Sequence, residues 1–123
     1  MDPVSELQRL AELLRSVQGV EGTVIARRDG LVISHDLPEH VSAKRIAAMA
    51  AAIVNASTNA IFELERGQFQ MTIVQSSIGK VVCLGAGIEA ILATLVSNEA
   101  NLGLILIQID RIGKRVEEVI EFL

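Results

Sequence analysis

Residues 46–62 read IAAMAAAIVNASTNAIF, a run without a single charged side chain. Ser42 is a good N-cap and Gly67 a good stop, so we predict a helix from about Ala43 to Arg66. One face, which we interpret as packing on the domain's own sheet, carries Ile46, Met49, Ile53, Ala60, Ile61 and Leu64. The opposite face, also without charge, carries Ala48, Ala51, Asn55, Thr58 and Phe62. A surface helix normally turns charge toward water, so we expect this helix to be covered on both sides.

The segment before this helix predicts another helix and a hairpin. Asp2 can cap, and Pro3 can begin, a helix that runs to about Val17 and stops at Gly19. Two β-branched runs follow, and the Asp29-Gly30 pair between them favours a tight turn. These runs are Thr23–Arg27 and Leu31–Ser34.

The segment after it predicts three strands and a last helix. The first strand, Gln68–Gln75, alternates apolar and polar residues, which is typical of a half-exposed strand. The other two, Val81–Leu84 and Ala90–Val96, are apolar on both faces, like central strands. The final segment is rich in β-branched residues but keeps a helical spacing of apolar positions. We therefore predict a helix from about Ala100 to Phe122, capped by Ser97 or Asn98. The order αββαβββα indicates a single α/β domain over residues 1–123.

Composition excludes several function classes. Hydrophobic residues make up 50% of the chain and the mean hydropathy is +0.45, which is hard to bury in one small copy and favours an oligomer. The net charge of −4, scattered basic residues and 2% aromatic content argue against a nucleic-acid partner. The uncharged run is too short and too polar for a membrane span, and no signal-peptide pattern opens the chain. The lone Cys83 fits a buried thiol in a reducing compartment, so we expect a cytoplasmic protein.

Two local patterns raise chemical hypotheses. Gly85-Ala86-Gly87 begins a G-x-G-x-x-A pattern, but the next segment resembles a strand and not the helix that would hold a pyrophosphate. A glycine bend is favoured there, with a ligand loop as the alternative. The segment from His35 to His40 holds two histidines and two acids, but Pro38 prevents a zinc-binding helix. We therefore expect no catalytic site, no cofactor and no metal.

Several phrases, taken in order, carry a family resemblance. Val17–Gly22 leads into a strand, Arg28–Ile33 surrounds the tight turn, the second helix is rich in alanine, and Asn98–Leu104 enters the last helix. Together they resemble the roadblock/LC7 family, including the MglB-like members of bacteria and archaea, over essentially the whole chain.

The resemblance implies a five-stranded antiparallel sheet, with the second helix on one face and the terminal helices on the other. It also implies homodimers that join through the second helix and the third strand. Family members scaffold or regulate Ras-like small GTPases, or serve as dynein light chains, and the family offers no catalytic motif to transfer. We therefore expect a non-catalytic dimeric regulator or scaffold of a Ras-like GTPase. A ligand-sensing module and a structural subunit of a larger assembly are the alternatives.

The residues assigned to these contacts are hypotheses from the sequence. The expected dimer interface consists of Ala48, Ala51, Asn55, Thr58, Phe62, Gln68, Gln70 and Thr72. The expected rim for a GTPase partner consists of His40, Lys44 and Arg45.

Overall fold

A computed structural model describes residues 2–123. They form three helices and five strands in the predicted order. The elements are α1 (Pro3–Arg15), β1 (Val20–Arg27), β2 (Val32–Asp36), α2 (Ala43–Glu63), β3 (Met71–Gln75), β4 (Lys80–Ala86), β5 (Ala90–Val96) and α3 (Leu102–Ile120).

The five strands form one antiparallel sheet in the order β2-β1-β5-β4-β3. The predicted turn at Asp29-Gly30 joins β1 to β2, and Gly30 has φ +92°, a conformation that a side chain disfavours. Strand β5 lies at the centre, whereas β2 and β3 are the two edges. The second and fourth strands of the chain therefore do not meet, and β3 pairs on one side only.

The helices pack on opposite faces of this sheet, as the resemblance implied. Helices α1 and α3 cover one face with a core of leucine, isoleucine and valine that includes Leu7, Leu92 and Ile109. Helix α3 approaches the sheet closely at Gly113, where a β-carbon would lie 2.9 Å from Leu84 Cδ1. Helix α2 covers the other face through a smaller core, which includes Ala47 and Val54.

The helix ends follow local capping chemistry. Asp2 and Ser42 cap α1 and α2 as predicted, each accepting a hydrogen bond from a backbone N–H three residues on. The predicted cap of α3 is wrong, because Asn101 fills that role through Leu104 N–H and the helix starts only at Leu102. Three elements are shorter than predicted. Helix α1 ends at Arg15 and not at Val17, α2 ends at Glu63 and not at Arg66, and β3 begins at Met71 and not at Gln68.

Helix α2 has the length and hydropathy of a membrane span, although its alanine-rich side is buried within the domain. It packs on the sheet through that side, and 22% of its most apolar stretch is buried inside the domain. Within residues 2–123, α2 alone meets these length and composition criteria.

Candidate functional site

Helix α2 packs on the sheet through small residues. Its buried side chains are Ala47, Ala50, Ala51 and Val54. The side turned away from the sheet is exposed along its whole length, and we call the line of residues there the outward stripe. The outward stripe consists of Arg45, Met49, Ala52, Ala56, Asn59 and Glu63.

The two faces predicted for α2 are therefore wrong by about a quarter turn. Met49, expected against the sheet, is 53% exposed, and Ala51, expected outward, is 6% exposed. The predicted faces are instead the two flanks of the helix. Ser57, on one flank, accepts a hydrogen bond from Thr72 of β3 at 2.6 Å. Asn55, on the other, donates to the backbone oxygen of Arg28 at 3.3 Å.

Strand β3 lies beside α2 and is the exposed edge of the sheet. Its register pairs Met71 with Leu84 and Val74 with Val81, and its other edge has no neighbour among residues 2–123. Met71, Ile73 and Val74 are between 38% and 45% exposed. An apolar edge strand with free N–H and C=O groups is a template for pairing with another chain. The Ser57–Thr72 hydrogen bond joins this edge strand to the flank of α2 that adjoins the outward stripe, so the stripe, the flank and the edge form one candidate surface.

The structure places the predicted interface residues unevenly. Ala51 belongs to the core, so it cannot contact a partner as proposed. Thr58 is half-buried and donates to Val54 O at 2.7 Å. Thr72 is half-buried, and its hydroxyl donates a hydrogen bond to Ser57. The remaining members are exposed: Ala48, Asn55, Phe62, Gln68 and Gln70.

The three predicted rim residues are also exposed, but they do not share one face. His40 lies in the loop before α2, and Lys44 lies one position before Arg45, about 100° around the helix. Arg45 belongs to the outward stripe.

The Gly85-Ala86-Gly87 segment forms the end of a hairpin between β4 and β5. A strand follows these glycines, so no helix N-terminus is available there for a pyrophosphate. Gly85 instead leaves space for the guanidinium of Arg28, which a β-carbon at position 85 would strike. Arg28 Nη2 donates to the backbone oxygen of Gly87 at 3.0 Å.

Sequence reasoning missed Arg28. Its guanidinium lies at one side of an open cleft of about 380 Å³ whose walls include Phe62, Phe69 and Ile88. Arg28 Nε is buried without a hydrogen-bond partner, and no carboxylate in the described part of the chain forms an ion pair with this side chain. The sequence around Arg28 did not indicate that its guanidinium lies at this cleft, because Gly85, which leaves space for it, is distant in the chain.

The other candidate groups have structural roles. Cys83 is fully buried in β4, and burial raises the pKa of its thiol to about 11, so the nucleophilic thiolate is disfavoured. Among residues 2–123, no three histidine, cysteine, aspartate or glutamate side chains gather closely enough to hold a metal ion. Asp36 forms an ion pair with Arg15 at 2.8 Å, which ties β2 to α1.

The fold and the sheet order are those of a small α/β domain with one exposed α2–β3 surface. The model of the Roadblock/LC7 domain matches residues 6–96, and the chain belongs to this family. The sequence is 32% identical over 111 residues to an uncharacterized protein of Methanocaldococcus jannaschii, covering 90% of this chain and 96% of that protein.

Solved structures share the same architecture. Myxococcus xanthus MglB superposes with a TM-score of 0.89 at 14% identity, covering 96% of this chain and 90% of that chain. A Roadblock/LC7 domain from Streptomyces avermitilis superposes with a TM-score of 0.86 at 22% identity, covering 93% of this chain and 97% of that chain. At these identities the likeness establishes the fold.

Proposed function

We propose that this chain is a non-catalytic, dimeric regulator or scaffold of a Ras-like small GTPase. The observation that carries the proposal is the surface formed by the outward stripe of α2 and the free edge of β3. This surface exposes apolar side chains together with the unpaired N–H and C=O groups of the β3 edge. The surface of a protein that works as a monomer would normally carry charged side chains there.

A second copy of the chain is the occupant that this surface fits. Alanines at positions 52 and 56 would let another helix approach closely, and the edge of β3 can pair with an identical edge across a two-fold axis. Covering apolar surface contributes about 25 cal/mol per Å², and strand pairing satisfies the N–H and C=O groups at the edge. The interface proposed here keeps Thr72 on β3 and Gln70, which lies just before that strand. On α2 it replaces the inaccessible Ala51 with Met49, Ala52, Ala56 and Ala60.

The GTPase partner is supported by membership of the Roadblock/LC7 family, with the role that this family implies. The dimer would present both copies of the exposed loop before α2, with His40 and Lys44 as the rim of the contact. A regulator of this kind needs no catalytic residue of its own. It biases a switch by binding the two nucleotide states unequally, and a tenfold bias needs only about 1.4 kcal/mol.

The test is titration of the purified dimer against Ras-like GTPases from the same organism, each loaded with GDP or with a non-hydrolysable GTP analogue. We expect at least a tenfold difference in Kd between the two states of one GTPase. Equal affinity for both states would reduce the role to tethering. Absence of binding to every GTPase tested would contradict the proposal.

The Arg28 cleft supports a second candidate function, a ligand-sensing module. A guanidinium that forms no ion pair among residues 2–123, beside walls that include Phe62 and Phe69, is suited to an anionic ligand with an apolar body. Thermal shift with guanine and adenine nucleotides separates the two functions. A concentration-dependent rise in Tm that is lost in Arg28→Met favours the sensor, and an unchanged Tm removes nucleotides as its ligand.

A further inference from the structure

Arg28 is held in place by contacts with α2 and with the β4–β5 hairpin. Its backbone N–H donates to the backbone oxygen of Glu89 at 3.0 Å, and its backbone oxygen accepts from the Asn55 side chain at 3.3 Å. Its Nη2 donates to the backbone oxygen of Gly87 at 3.0 Å, in the space that Gly85 leaves open. The side chain is therefore positioned before any ligand arrives, which lowers the entropy cost of binding.

The chain satisfies the guanidinium of Arg28 only in part. The residue is half-buried, its Nε is buried without a hydrogen-bond partner, and it belongs to none of the ion pairs formed among residues 2–123. The neighbouring Arg27, by contrast, pairs with Asp29 at 3.3 Å. A half-buried positive charge without a counter-ion is unfavourable, and an anion bound beside it removes part of that cost.

The cleft beside Arg28 is apolar and carries a single charge. Its volume of about 380 Å³ lies within the range of small-molecule sites, and its walls include Phe62, Phe69 and Ile88. Among the described residues that line it, only Arg28 is charged. The hydroxyl of Thr58 already donates to the backbone of α2, so it offers an anion no donor. The guanidinium therefore selects the sign of a ligand's charge, and one guanidinium balances one negative charge.

This single cation distinguishes between kinds of anion. The phosphates of nucleotides carry several charges, and proteins bind them with helix N-termini, runs of backbone N–H groups or several cations. The glycines at positions 85 and 87 lead into strand β5, and no second cation lines the cleft within residues 2–123. A carboxylate carries one charge, which charge-assisted hydrogen bonds from one guanidinium compensate.

We propose that the Arg28 cleft binds a small monocarboxylate with an aromatic or aliphatic body. The carboxylate lies beside the guanidinium, and the apolar body lies against Phe62 and Ile88. These two side chains are 76% and 88% exposed, so the bound body covers apolar surface that otherwise faces water. This inference rests on the ligand-sensing candidate of the proposed function and names the class of its ligand.

The cleft and the β3 edge lie on opposite flanks of α2. Phe62 follows Asn55 by nearly two full turns, so both lie on the flank that faces Arg28. The other flank carries Ser57, which meets β3 through Thr72. The carboxylate site and the proposed dimer surface can therefore be tested separately.

The test is titration of the isotope-labelled chain with phenylbutyrate, followed by NMR, with the neutral phenylbutyramide as the matched probe. We expect the acid to shift the amide signals of Gly67, Phe69 and Ile88 in a saturable manner. Its Kd should be at least about tenfold lower than that of the amide, because only the acid carries the charge that Arg28 lacks. GTP at the same concentration should leave these signals in place.

Arg28→Met and Arg27→Met form a matched pair of variants. Arg28→Met removes the guanidinium at the cleft, so phenylbutyrate should bind at least about tenfold more weakly, as the amide does. Arg27→Met removes an equal charge from the adjacent residue, which does not line the cleft, so the Kd should change less than about threefold. Circular dichroism checks that both variants are folded.

Phe62→Glu is a second variant, chosen because Arg28 also supports the hairpin through its bond to Gly87. Phe62 is largely exposed, so the substitution should leave the fold unchanged. The new carboxylate lies in the cleft and competes for Arg28, so saturable binding of phenylbutyrate should be lost.

Each contrary result has a distinct meaning. Equal affinity for the acid and the amide, unchanged affinity in Arg28→Met or Phe62→Glu, or the absence of saturable shifts at millimolar phenylbutyrate would overturn the carboxylate site. Saturable shifts by GTP at the same signals would overturn its restriction to monocarboxylates. None of these measurements includes a GTPase. A chain that binds phenylbutyrate but no GTPase therefore keeps this site and loses the regulator, and a chain with the opposite behaviour loses only this site.

Discussion

Ala56→Glu is expected to separate the dimer without unfolding the protomer. Ala56 is exposed at the centre of the outward stripe, so a glutamate there is solvated in the monomer. In the proposed dimer it would lie where the helix of the partner subunit approaches closely, and two carboxylates would be buried without partners. At about 2 kcal/mol for each, a low value for an unpaired buried charge, the dimer loses about 4 kcal/mol. That corresponds to roughly a thousandfold increase in Kd.

The assay combines light scattering with circular dichroism. The native chain should have twice its 13.2 kDa mass at micromolar concentration, and Ala56→Glu should show the single mass with an unchanged far-ultraviolet spectrum. Ala56→Ser is the neutral control and should remain dimeric. Ala51→Glu should instead unfold or aggregate, because it places a carboxylate in the core beneath α2. A dimeric Ala56→Glu, or a folded monomeric Ala51→Glu, would refute the assignment of the helix faces.

Three further expectations concern the protomer itself. Thr94→Val should leave the free energy of unfolding unchanged or raise it by up to about 1 kcal/mol in urea titration, because the buried hydroxyl of Thr94 has no hydrogen-bond partner in the described chain; a loss larger than that would contradict it. The pKa of Asp2 is lowered mainly by the Ser5 backbone N–H, so Asp2→Ala should lower Tm at pH 7, with a difference that persists above the unfolded pKa of about 4 and vanishes as pH falls through the lower folded pKa. Cys83 should resist a thiol reagent at pH 8 and react fully in guanidinium chloride, because burial raises its pKa to about 11; rapid native labelling would contradict this.

Local chemistry made most of the fold predictable from the sequence. Asp2, Ser42 and the Asp29-Gly30 turn each fix a boundary through backbone hydrogen bonding or backbone conformation, which depend on only a few residues. The apolar spacing from Leu102 onward correctly outweighed its β-branched composition and predicted α3. The element order follows from these local signals, whereas the five-stranded antiparallel sheet was implied by the family resemblance.

The orientation of α2 was not predictable from the same rules. Large apolar side chains were expected to face the sheet, but the helix approaches so closely that alanines fill the contact. A β-carbon at Gly30 would lie 3.4 Å from the Cα of Ala48, which shows how little space the loop leaves beside the helix. An apolar helix with no charged face between its ends gives no periodic signal to fix its rotation. The position of Arg28 was missed for a related reason, since the space it occupies is created by Gly85 on another strand.

The two-fold dimer proposed above, which sets its two α2 helices antiparallel, can be tested directly by double electron–electron resonance. A nitroxide on Lys44→Cys is suitable because position 44 is exposed and off the outward stripe, while the native Cys83 is buried. Val54 is halfway between Arg45 and Glu63, the ends of the outward stripe, and position 44 lies ten residues before it. If the two α2 helices cross antiparallel at Val54, the two labels are 20 residues apart along the axis, or roughly 30 Å at 1.5 Å per residue. We expect a single distance distribution centred near this value. A short distance of roughly 10 Å, as in a parallel pair, or the absence of any dipolar signal, would contradict it.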